Sequence, residues 1–438
     1  MKSVDKIPST KIKRATKILG TGAKVGVNYA KYYGNRIIKS KEEAKKKLDK
    51  DNAEDIYNSL QELKGSALKM AQMMSMDKNV LPEAYSEKFS LSQFSVPPLS
   101  YALVQKTFLK EFEKSPLEIF DSFNKEATHA ASIGQVHMAK LKDKKYAVKV
   151  QYPGVGDSIK SDLALIKPMA KKLFNIKGKD SDKYFKEVEK KLVEETNYKL
   201  ELENASKFKE NCKELKDVLF PKYYKEFSSK KVLTMDWMDG VHLSEINHKD
   251  FSQEHKNKLG QIIWDFYMFQ FHKLNEFQAD PHPGNFLVNK KNQLIALDFG
   301  CTKAIPKKFY KSFSKLLDKD VISDKDEFNN TLFDLDFLLE KDSKSDKKIL
   351  TEMLEQLLEL IARPFHTDNF DFSDELYFKK IAITGEQLSK DKRLRKLSTS
   401  RGSKHFIYVN RTFFGLYNIL HLIGAQKVEI NGYKKYLD

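Results

Sequence analysis

The chain has 438 residues, of which 40% are hydrophobic and 32% charged, and it carries a formal net charge of +17. This composition argues against a disordered chain, while two cysteines far apart in sequence, Cys212 and Cys301, argue against a disulfide framework or a zinc site and fit a reducing cytosol. No uninterrupted run of about 18 apolar residues occurs, so we expect no membrane-spanning helix, and the lack of an apolar core at the start argues against a secretory signal.

Most of the positive charge lies early in the chain, where residues 1–50 contain fifteen Lys or Arg and four Asp or Glu. The pattern over residues 9–39 predicts one or two short basic amphipathic helices, interrupted near residues 20–22 and 34. Such helices bind an anionic membrane surface or dock on the body of the same protein, and the sequence leaves both open. Organellar import also stays open, because residues 6–39 contain no acidic residue. No groove-reading motif accompanies the charge, so we expect no nucleic-acid partner.

A charged connector is predicted over residues 39–54, followed by a helix from Asp55 to Met76. Lys69 and Gln72 are three residues apart and therefore share one face of this helix. Two polar residues on one face are ordinarily solvated, so periodicity alone gives this pair no further role.

Two strands are predicted next, over residues 133–139 and 146–150. A loop of small residues precedes the first strand and consists of Ala130, Ala131 and Ser132. Lys149 alternates with apolar neighbours in the second strand, which is where a kinase keeps the lysine that binds the phosphates. The alternative is an ordinary solvated lysine in a Lys-rich chain.

Helices are predicted over residues 156–175 and 182–212, and the second contains two candidate partners for Lys149, namely Glu195 and Glu201. Six residues at about 100° each place these two glutamates about 120° apart on one helix. We therefore expect them to pair with different cations. Beyond this helix the pattern predicts a strand over residues 232–235 and an aromatic-rich helix over residues 259–274. The C-terminal part, residues 305–438, is predicted to be mostly helical, with a last apolar helix over residues 406–423.

The stretch between residues 277 and 301 carries the strongest chemical signal. Asp280 precedes Asn285 by five residues, and an apolar run then leads to Asp298 in the sequence Asp-Phe-Gly. Protein-kinase-like enzymes use D-x-x-x-x-N followed by D-F-G to place a catalytic Asp and two ligands for magnesium, which prefers hard oxygen atoms. The alternative is a hairpin with acidic turn residues and a chance D-F-G, and the order of the features argues against it.

Together these motifs resemble the UbiB/ADCK/AarF family of atypical protein-kinase-like proteins over roughly residues 55–330. The resemblance rests on six stretches, namely KMAQ at 69–72, HAASIGQVH at 129–137, AVKVQYPGV at 147–155, ETNY at 195–198, DPHPGN at 280–285 and DFG at 298–300. It implies an α+β, bilobal protein-kinase-like fold with an N-terminal helical extension of the K-x-G-Q type and a mostly helical C-lobe. The implied segments are a basic leader and connector over residues 1–54, the extension over residues 55–118, the N-lobe over residues 119–235 and the C-lobe over residues 236–438.

The resemblance also assigns roles around bound ATP and Mg²⁺. Lys149 is implied to bind the phosphates and to pair with Glu201. Asp280 is the implied catalytic-loop acid, while Asn285 and Asp298 are the implied magnesium ligands. The remaining implied nucleotide contacts are the phosphate-covering loop and the adenine-binding strand end, at Ala130, Ala131, Ser132, Met235, Trp237 and Met238.

The extension is implied to regulate the site, because Lys69 and Gln72 would face it and meet the Glu195 motif. Two residues depart from the family pattern. Ala71 replaces the glycine of K-x-G-Q, which a helix tolerates unless another backbone passes close to it. Asn197 replaces the aspartate of E-x-D, which keeps an oxygen ligand but removes one negative charge.

The implied function is a magnesium-dependent, ATP-binding ATPase or phosphotransferase that supports isoprenoid quinone (ubiquinone or menaquinone) biosynthesis or lipid handling. The implied location is cytoplasmic and peripheral to an anionic membrane surface. The implied partners are that surface, a quinone precursor lipid and quinone-biosynthesis proteins. Two alternatives remain, namely a nucleotide-gated lipid-binding protein without significant turnover and a true protein or small-molecule kinase.

Overall fold

The computed structural model describes residues 11–36, 40–63, 65, 67–70, 83–90, 98–130, 133–173, 180–246, 251–391, 393 and 401–437. The chain divides into two units. The first unit comprises Met1–Glu203 and Lys222–Trp237, and the second comprises Asn204–Pro221 and Met238–Asp438. The predicted four-segment division stays a prediction.

The first unit is built on an antiparallel sheet. Its strands are β1 (Ser122–Phe123), β2 (His129–Ala130), β3 (Gly134–Leu141), β4 (Lys144–Gln151) and β6 (Val232–Asp236). The order is β1-β3-β4-β6, with β2 also paired to β3. Strand β4 therefore lies between β3 and β6, which fixes its backbone on both sides.

The predicted hairpin that carries Lys149 is confirmed, and both strands are longer than predicted. The turn lies at residues 142–143, where Lys142 adopts a φ of 54°. Tyr146, Val148 and Val150 are buried, as their alternation predicts, and they pack in a core cluster with residues of helix Tyr101–Phe112. This packing fixes the register of β4 and therefore the face from which Lys149 projects.

Among the described residues, eight helices with defined ends lie wholly or partly in the first unit. They are α1 (Lys11–Asn35), α2 (Lys41–Leu63), α3 (Glu83–Ser90), α4 (Tyr101–Phe112), α5 (Pro116–Ile119), α6 (Val155–Leu173), α7 (Asp180–Glu195) and α8 (Tyr198–Asn211). A second core cluster joins apolar residues of α1, α2, α3, α6 and α7. Helices early in the chain thus share one core with those that follow the Lys149 hairpin.

The interruption predicted near residues 20–22 of the basic leader is wrong, whereas the one predicted near residue 34 is confirmed, because helix α1 ends at Asn35. The helix continues through Gly20 because a glycine costs a helix only about 1 kcal/mol and the buried face of α1 holds it on the first unit. The predicted connector is helical too, as part of α2. Its Lys and Glu residues are good helix formers, and Ala44 and Leu48 give it a buried face.

Two predicted helices are interrupted where we expected continuity. Of the helix expected over residues 55–76, residues 55–63 belong to α2 and residues 67–70 are helical again. Gly65 lies between them with a φ of 58°, and a side chain there would meet Val155 at 2.6 Å. The helix expected over residues 182–212 is two helices, since α7 ends at Glu195 and α8 begins at Tyr198.

The second unit contains a four-stranded sheet in the order β5-β10-β9-β7 and two strand pairs, β8–β11 and β12–β13. Its strands are β5 (Val218–Leu219), β7 (Val241–His242), β8 (Glu276–Gln278), β9 (Phe286–Val288), β10 (Leu294–Ala296), β11 (Thr302–Ala304), β12 (Asn369–Phe370) and β13 (Val428–Glu429). The loop from β8 to β9 and the loop from β10 to β11 carry the acidic motifs.

The rest of the second unit is mainly helical, as predicted. The helices are α9 (Gln253–Met268), α10 (Lys307–Lys315), α11 (Lys319–Ser323), α12 (Lys325–Asp334), α13 (Lys344–Ile361), α14 (Glu375–Lys390) and α15 (Lys404–Ile423). Helix α9 passes into a π-helical turn, Phe269–Leu274, and its aromatic residues Trp264, Phe266 and Tyr267 are buried. Among the helices described, none is both long enough and apolar enough to cross a bilayer.

Candidate functional site

Lys149 and Glu201 form the central ion pair of the first unit. The Nζ atom of Lys149 lies 2.8 Å from Oε1 and 3.1 Å from Oε2 of Glu201. The two side chains are 13% and 2% exposed, so a solvated strand lysine is the wrong interpretation. The Lys149 ammonium also lies 5.1 Å from the ring centre of Tyr198. A lysine held by a glutamate in this way is the arrangement that binds nucleotide phosphates in kinases.

Lys69 pairs with the other glutamate, Glu195, at 3.1 Å, with both side chains mostly buried. The expectation that Glu195 and Glu201 serve different cations is therefore confirmed. The physical reason differs from the predicted one, because the two glutamates lie on separate helices on either side of the break at residues 196–197.

The rest of the predicted extension contact is only partly visible. Gln72 and Ala71 lie outside the described residues. Asn197 occupies the break between α7 and α8, where its backbone N–H donates to the Glu194 carbonyl and its own carbonyl accepts from the N–H of Glu201. Asn197 thus helps to shape the turn that separates the two glutamates, and its predicted regulatory role stays a prediction.

The small-residue loop is described at its two ends. Ala130 pairs with Gln135 in the β2–β3 ladder, whereas Ala131 and Ser132 lie outside the described residues. At Gly134, a side chain would meet the Tyr198 hydroxyl at 2.6 Å and the Val150 carbonyl at 2.7 Å. Glycine is therefore required at 134 because the backbone passes directly over the residues that surround Lys149.

The predicted adenine contacts lie near the end of β6 and directly after it. Met235 is buried and pairs with Ala147, and the Trp237 N–H donates to the Lys145 carbonyl at 3.2 Å. The backbone N–H of Trp237, which we expected to face a nucleotide, therefore donates to the sheet instead. Met238 is the first residue of the second unit in this part of the chain, and the adenine contact stays a prediction.

In the second unit, Asp280 and Asn285 share one loop between β8 and β9. Asn285 donates from Nδ2 to the Asp280 carbonyl at 2.9 Å, and the Asn285 carbonyl accepts from the Leu297 N–H at 3.0 Å. A 3-10 turn over Pro283–Asn285 keeps the loop tight. The second of these bonds ties the Asp280 loop to the segment that leads into Asp298.

Asp298 is held from both sides. Its Oδ1 accepts the Gly300 N–H at 2.9 Å, and its carbonyl accepts from Nε2 of Gln278 at 2.6 Å. The Tyr267 hydroxyl donates to Gln278 at 2.7 Å. Burial and the nearby charge of Asp280 raise the pKa of Tyr267 well above its ordinary value, so this hydroxyl keeps its proton and remains a donor. Phe299 is buried and fixes the motif in the core.

Sequence reasoning missed one residue of this site. Arg411 of α15 donates from Nη2 to Oδ1 of Asp280 at 2.5 Å, and the two side chains are 13% and 18% exposed. One turn further along α15, a side chain at Gly415 would meet Pro281 Cγ at 2.3 Å. Arginine and glycine four residues apart share a helix face, which was the only available signal, and it does not identify Asp280 as the partner.

The chemistry of this loop set fits magnesium. Asn285 uses its Nδ2 group on the Asp280 carbonyl, which leaves the amide oxygen as the atom suited to a metal. Asp298 contributes a carboxylate, and oxygen ligands of this kind are those that magnesium prefers. Within the described residues, no three His, Cys, Asp or Glu side chains form a metal cluster by themselves. Magnesium characteristically completes such a site with water and phosphate oxygens.

The fold and the two residue sets define the class of protein as protein-kinase-like. The family model for the ABC1 atypical kinase-like domain matches residues 91–332, and the chain belongs to this family. The resemblance inferred from the motifs is therefore confirmed.

Two relatives illustrate the range of the similarity. The chloroplastic protein ACTIVITY OF BC1 COMPLEX KINASE 8 of Arabidopsis thaliana is 33% identical over 246 residues, which are 54% of this chain and 32% of that protein. The mitochondrial atypical kinase COQ8 of Saccharomyces cerevisiae is 29% identical over 384 residues, which are 86% of this chain and 75% of that protein. The chain thus spans about a third of the Arabidopsis relative and three quarters of the yeast relative.

A solved structure supports the fold. The complex of Rv3197 with erythromycin from Mycobacterium tuberculosis aligns with a TM-score of 0.61 at 24% identity, covering 90% of this chain and 98% of that chain. The predicted α+β, kinase-like fold with a mostly helical second part is confirmed.

Proposed function

We propose that the protein is a magnesium-dependent enzyme that binds ATP and transfers its terminal phosphoryl group to water or to another acceptor. The observation that carries this proposal is the Lys149–Glu201 pair, which is buried and held by two short contacts. In kinases, a lysine in this pair must be in place for the phosphates to be bound productively. A fold that had lost nucleotide chemistry would have no need to keep these two opposite charges out of water.

The residues divide the work between them. Lys149 neutralises negative charge on the phosphates, including the charge that develops on the phosphoryl group during its transfer. Asn285 and Asp298 would hold magnesium, which would supply positive charge to stabilise the phosphates during transfer. Asp280 orients the attacking hydroxyl or water through a carboxylate oxygen, and Arg411 fixes the position of Asp280.

The biological setting that we propose is support of isoprenoid quinone biosynthesis at a membrane surface. Three observations support it, namely membership of the ABC1 family, the similarity to proteins named COQ8 and the basic helix α1. One such relative is named mitochondrial and another relative is named chloroplastic. For this chain we propose a peripheral position on an anionic membrane, with a quinone precursor lipid or quinone-biosynthesis proteins as partners.

The test is phosphate release from magnesium ATP by the full chain and by its Asp298→Asn variant. We expect the variant to lose at least about a hundredfold in turnover, because it removes the one metal-binding carboxylate proposed here. Chelation of magnesium is expected to abolish turnover as well. The matched control is Asp326→Asn, an exposed carboxylate in the same unit, which should leave turnover unchanged.

Two results would contradict the proposal. Undiminished phosphate release by the Asp298→Asn variant would show that the assigned site does not perform the reaction. Stoichiometric nucleotide binding by the wild type without release above that of the variant would favour the nucleotide-gated lipid-binding protein. Transfer of label from ATP to a protein or small molecule would instead identify the acceptor of a true kinase.

A further inference from the structure

Helix α1 is anchored to the first unit along one face. Arg14 donates from Nε and Nη2 to the two carboxylate oxygens of Asp162 at 2.8 and 2.5 Å, and from Nη1 to the Leu63 carbonyl at 2.7 Å. Asn28, fourteen residues along the helix, donates to Asn52 at 3.1 Å and to Asp55 at 2.8 Å. These contacts fix the rotation of α1 about its own axis as well as its position.

The opposite face of α1 is apolar and exposed. Ile12, Leu19, Val27 and Tyr33 are 80%, 65%, 55% and 63% exposed. They account for four of the twelve large apolar side chains that are exposed among the described residues. At about 100° per residue they fall within an arc of roughly 120°, and every other position in that arc is Gly, Ala or Thr.

The glycines of this face are open to the outside. Among the described residues, a side chain added at Gly20, Gly26 or Gly34 would meet no atom within 4 Å. No part of the first unit that the structure describes therefore covers the helix at these positions. Because Arg14 and Asn28 hold the opposite side, the helix cannot turn these apolar residues inward without breaking buried contacts.

Positive charge borders the apolar arc. Lys13, Lys24 and Lys31 lie along one edge, and α1 contains no acidic residue. Apolar side chains with lysines beside them suit the boundary between headgroups and acyl chains of an anionic bilayer. A second copy of the chain fits less well, because pairing two such faces would bring two rows of lysines together.

We propose that the outward face of α1, defined by Ile12, Leu19, Val27 and Tyr33 with Lys13, Lys24 and Lys31, is the surface through which the protein docks on an anionic lipid bilayer. This inference deepens the membrane part of the proposed function and rests on it. Because the buried Arg14–Asp162 pair fixes α1 to the first unit, docking through this face holds that unit at the lipid surface. The first unit contains the Lys149–Glu201 pair.

The test compares two double variants of the full chain by co-sedimentation with vesicles of equal parts phosphatidylcholine and phosphatidylglycerol. Leu19→Glu with Val27→Glu changes the α1 face. Leu109→Glu with Leu117→Glu is the matched control, since these leucines are 52% and 53% exposed elsewhere in the same unit. We expect the α1 variant to bind at least about tenfold more weakly than the wild type, and the control to bind as the wild type does.

A second variant tests the face in the opposite direction. Gly26→Leu adds an apolar side chain into open space, and we expect it to bind the same vesicles more tightly, while Gly385→Leu on α14 leaves binding unchanged. Rising salt should weaken binding, and vesicles of phosphatidylcholine alone should bind less, because the lysines act through charge. Circular dichroism of each variant checks that the helices remain folded.

Three outcomes would overturn the inference. Equal binding by the wild type and the α1 variant would place the membrane contact elsewhere, and no binding by the wild type would also remove the membrane from the proposed function. A dimer in solution that the α1 variant abolishes would assign the face to a second copy. Magnesium ATPase activity measured without vesicles does not depend on these three outcomes, because Leu19 and Val27 take part in no proposed catalytic contact. If the wild type shows no such activity, the enzyme proposal alone is overturned.

Discussion

Helices α1 and α15 are each fixed by an arginine that pairs with a distant aspartate, and they differ in what the pair controls. Arg14 binds both carboxylate oxygens of Asp162, and the side chains are 5% and 0% exposed. Arg411 binds one oxygen of Asp280, which the family pattern assigns to catalysis. The first pair anchors an element, whereas the second holds the residue that we propose as the catalytic acid. In our proposal the same two residue types thus serve stability in one unit and activity in the other.

The two helices also differ in how far their own unit surrounds them. Helix α15 is enclosed, with Phe413, Leu416 and Tyr417 buried, and its Phe413 ring lies 5.3 Å from Phe271 in the π-helical turn. Helix α1 leaves a whole face to the outside. A helix enclosed by its own unit transmits any displacement to its neighbours, whereas a helix with a free face can change there without cost to the fold.

The largest expected effect is on stability. Arg14→Met leaves Asp162 as a buried charge without its arginine, which costs about 3–5 kcal/mol of unfolding free energy. Urea denaturation of the full chain measures this loss. Adding Asp162→Leu to the variant should restore much of the stability, because the buried carboxylate is then removed as well. A single variant as stable as the wild type would show that the pair does not anchor α1.

Arg411→Met is expected to act on turnover rather than on stability. Without the guanidinium, the Asp280 carboxylate loses the contact that orients it, and we expect kcat to fall by about a hundredfold while KM for ATP stays within about twofold. Steady-state phosphate release measures both constants. A rise in kcat would reverse the assignment and show that Arg411 restrains Asp280.

The smallest expected effects come from a matched pair of glycines. Gly415→Ala places a methyl group 2.3 Å from Pro281 Cγ, so we expect a loss of at least about 1 kcal/mol and reduced turnover. Gly26→Ala on the open face of α1 should instead stabilise the chain by about 0.5–1 kcal/mol. Thermal unfolding of the two variants checks the opposite signs, and a stabilising Gly415→Ala would contradict the close packing against Pro281.

Local sequence patterns predicted most of the site. Strand alternation placed Lys149 on the correct hairpin, and motif spacing brought Asp280 and Asn285 into one loop that is tied to the segment before Asp298. The separation of Glu195 from Glu201 was also predicted, although from a continuous helix that the structure divides. These successes share one cause, because the relevant residues are close in sequence or lie in one regular element.

Neither the local patterns nor the family motifs predicted the two arginine pairs, whose partners are far apart in sequence. Arg14 and Asp162 are 148 positions apart, and Arg411 and Asp280 are 131 positions apart. Periodicity describes one element at a time and contains no information on which elements meet. The helical character of the charged residues 41–54 was missed for a related reason, since their stabilising face depends on packing against other helices.

The division of the first unit into two chain segments has a consequence for the order of folding. Strand β4 pairs with β6, yet the chain leaves this unit after Glu203 and returns only at Lys222. During synthesis the hairpin β3–β4 therefore emerges well before β6, and the open side of β4 presents unpaired backbone groups in the meantime. The strand that carries Lys149 is thus an exposed sheet edge of the nascent chain until β6 has been made.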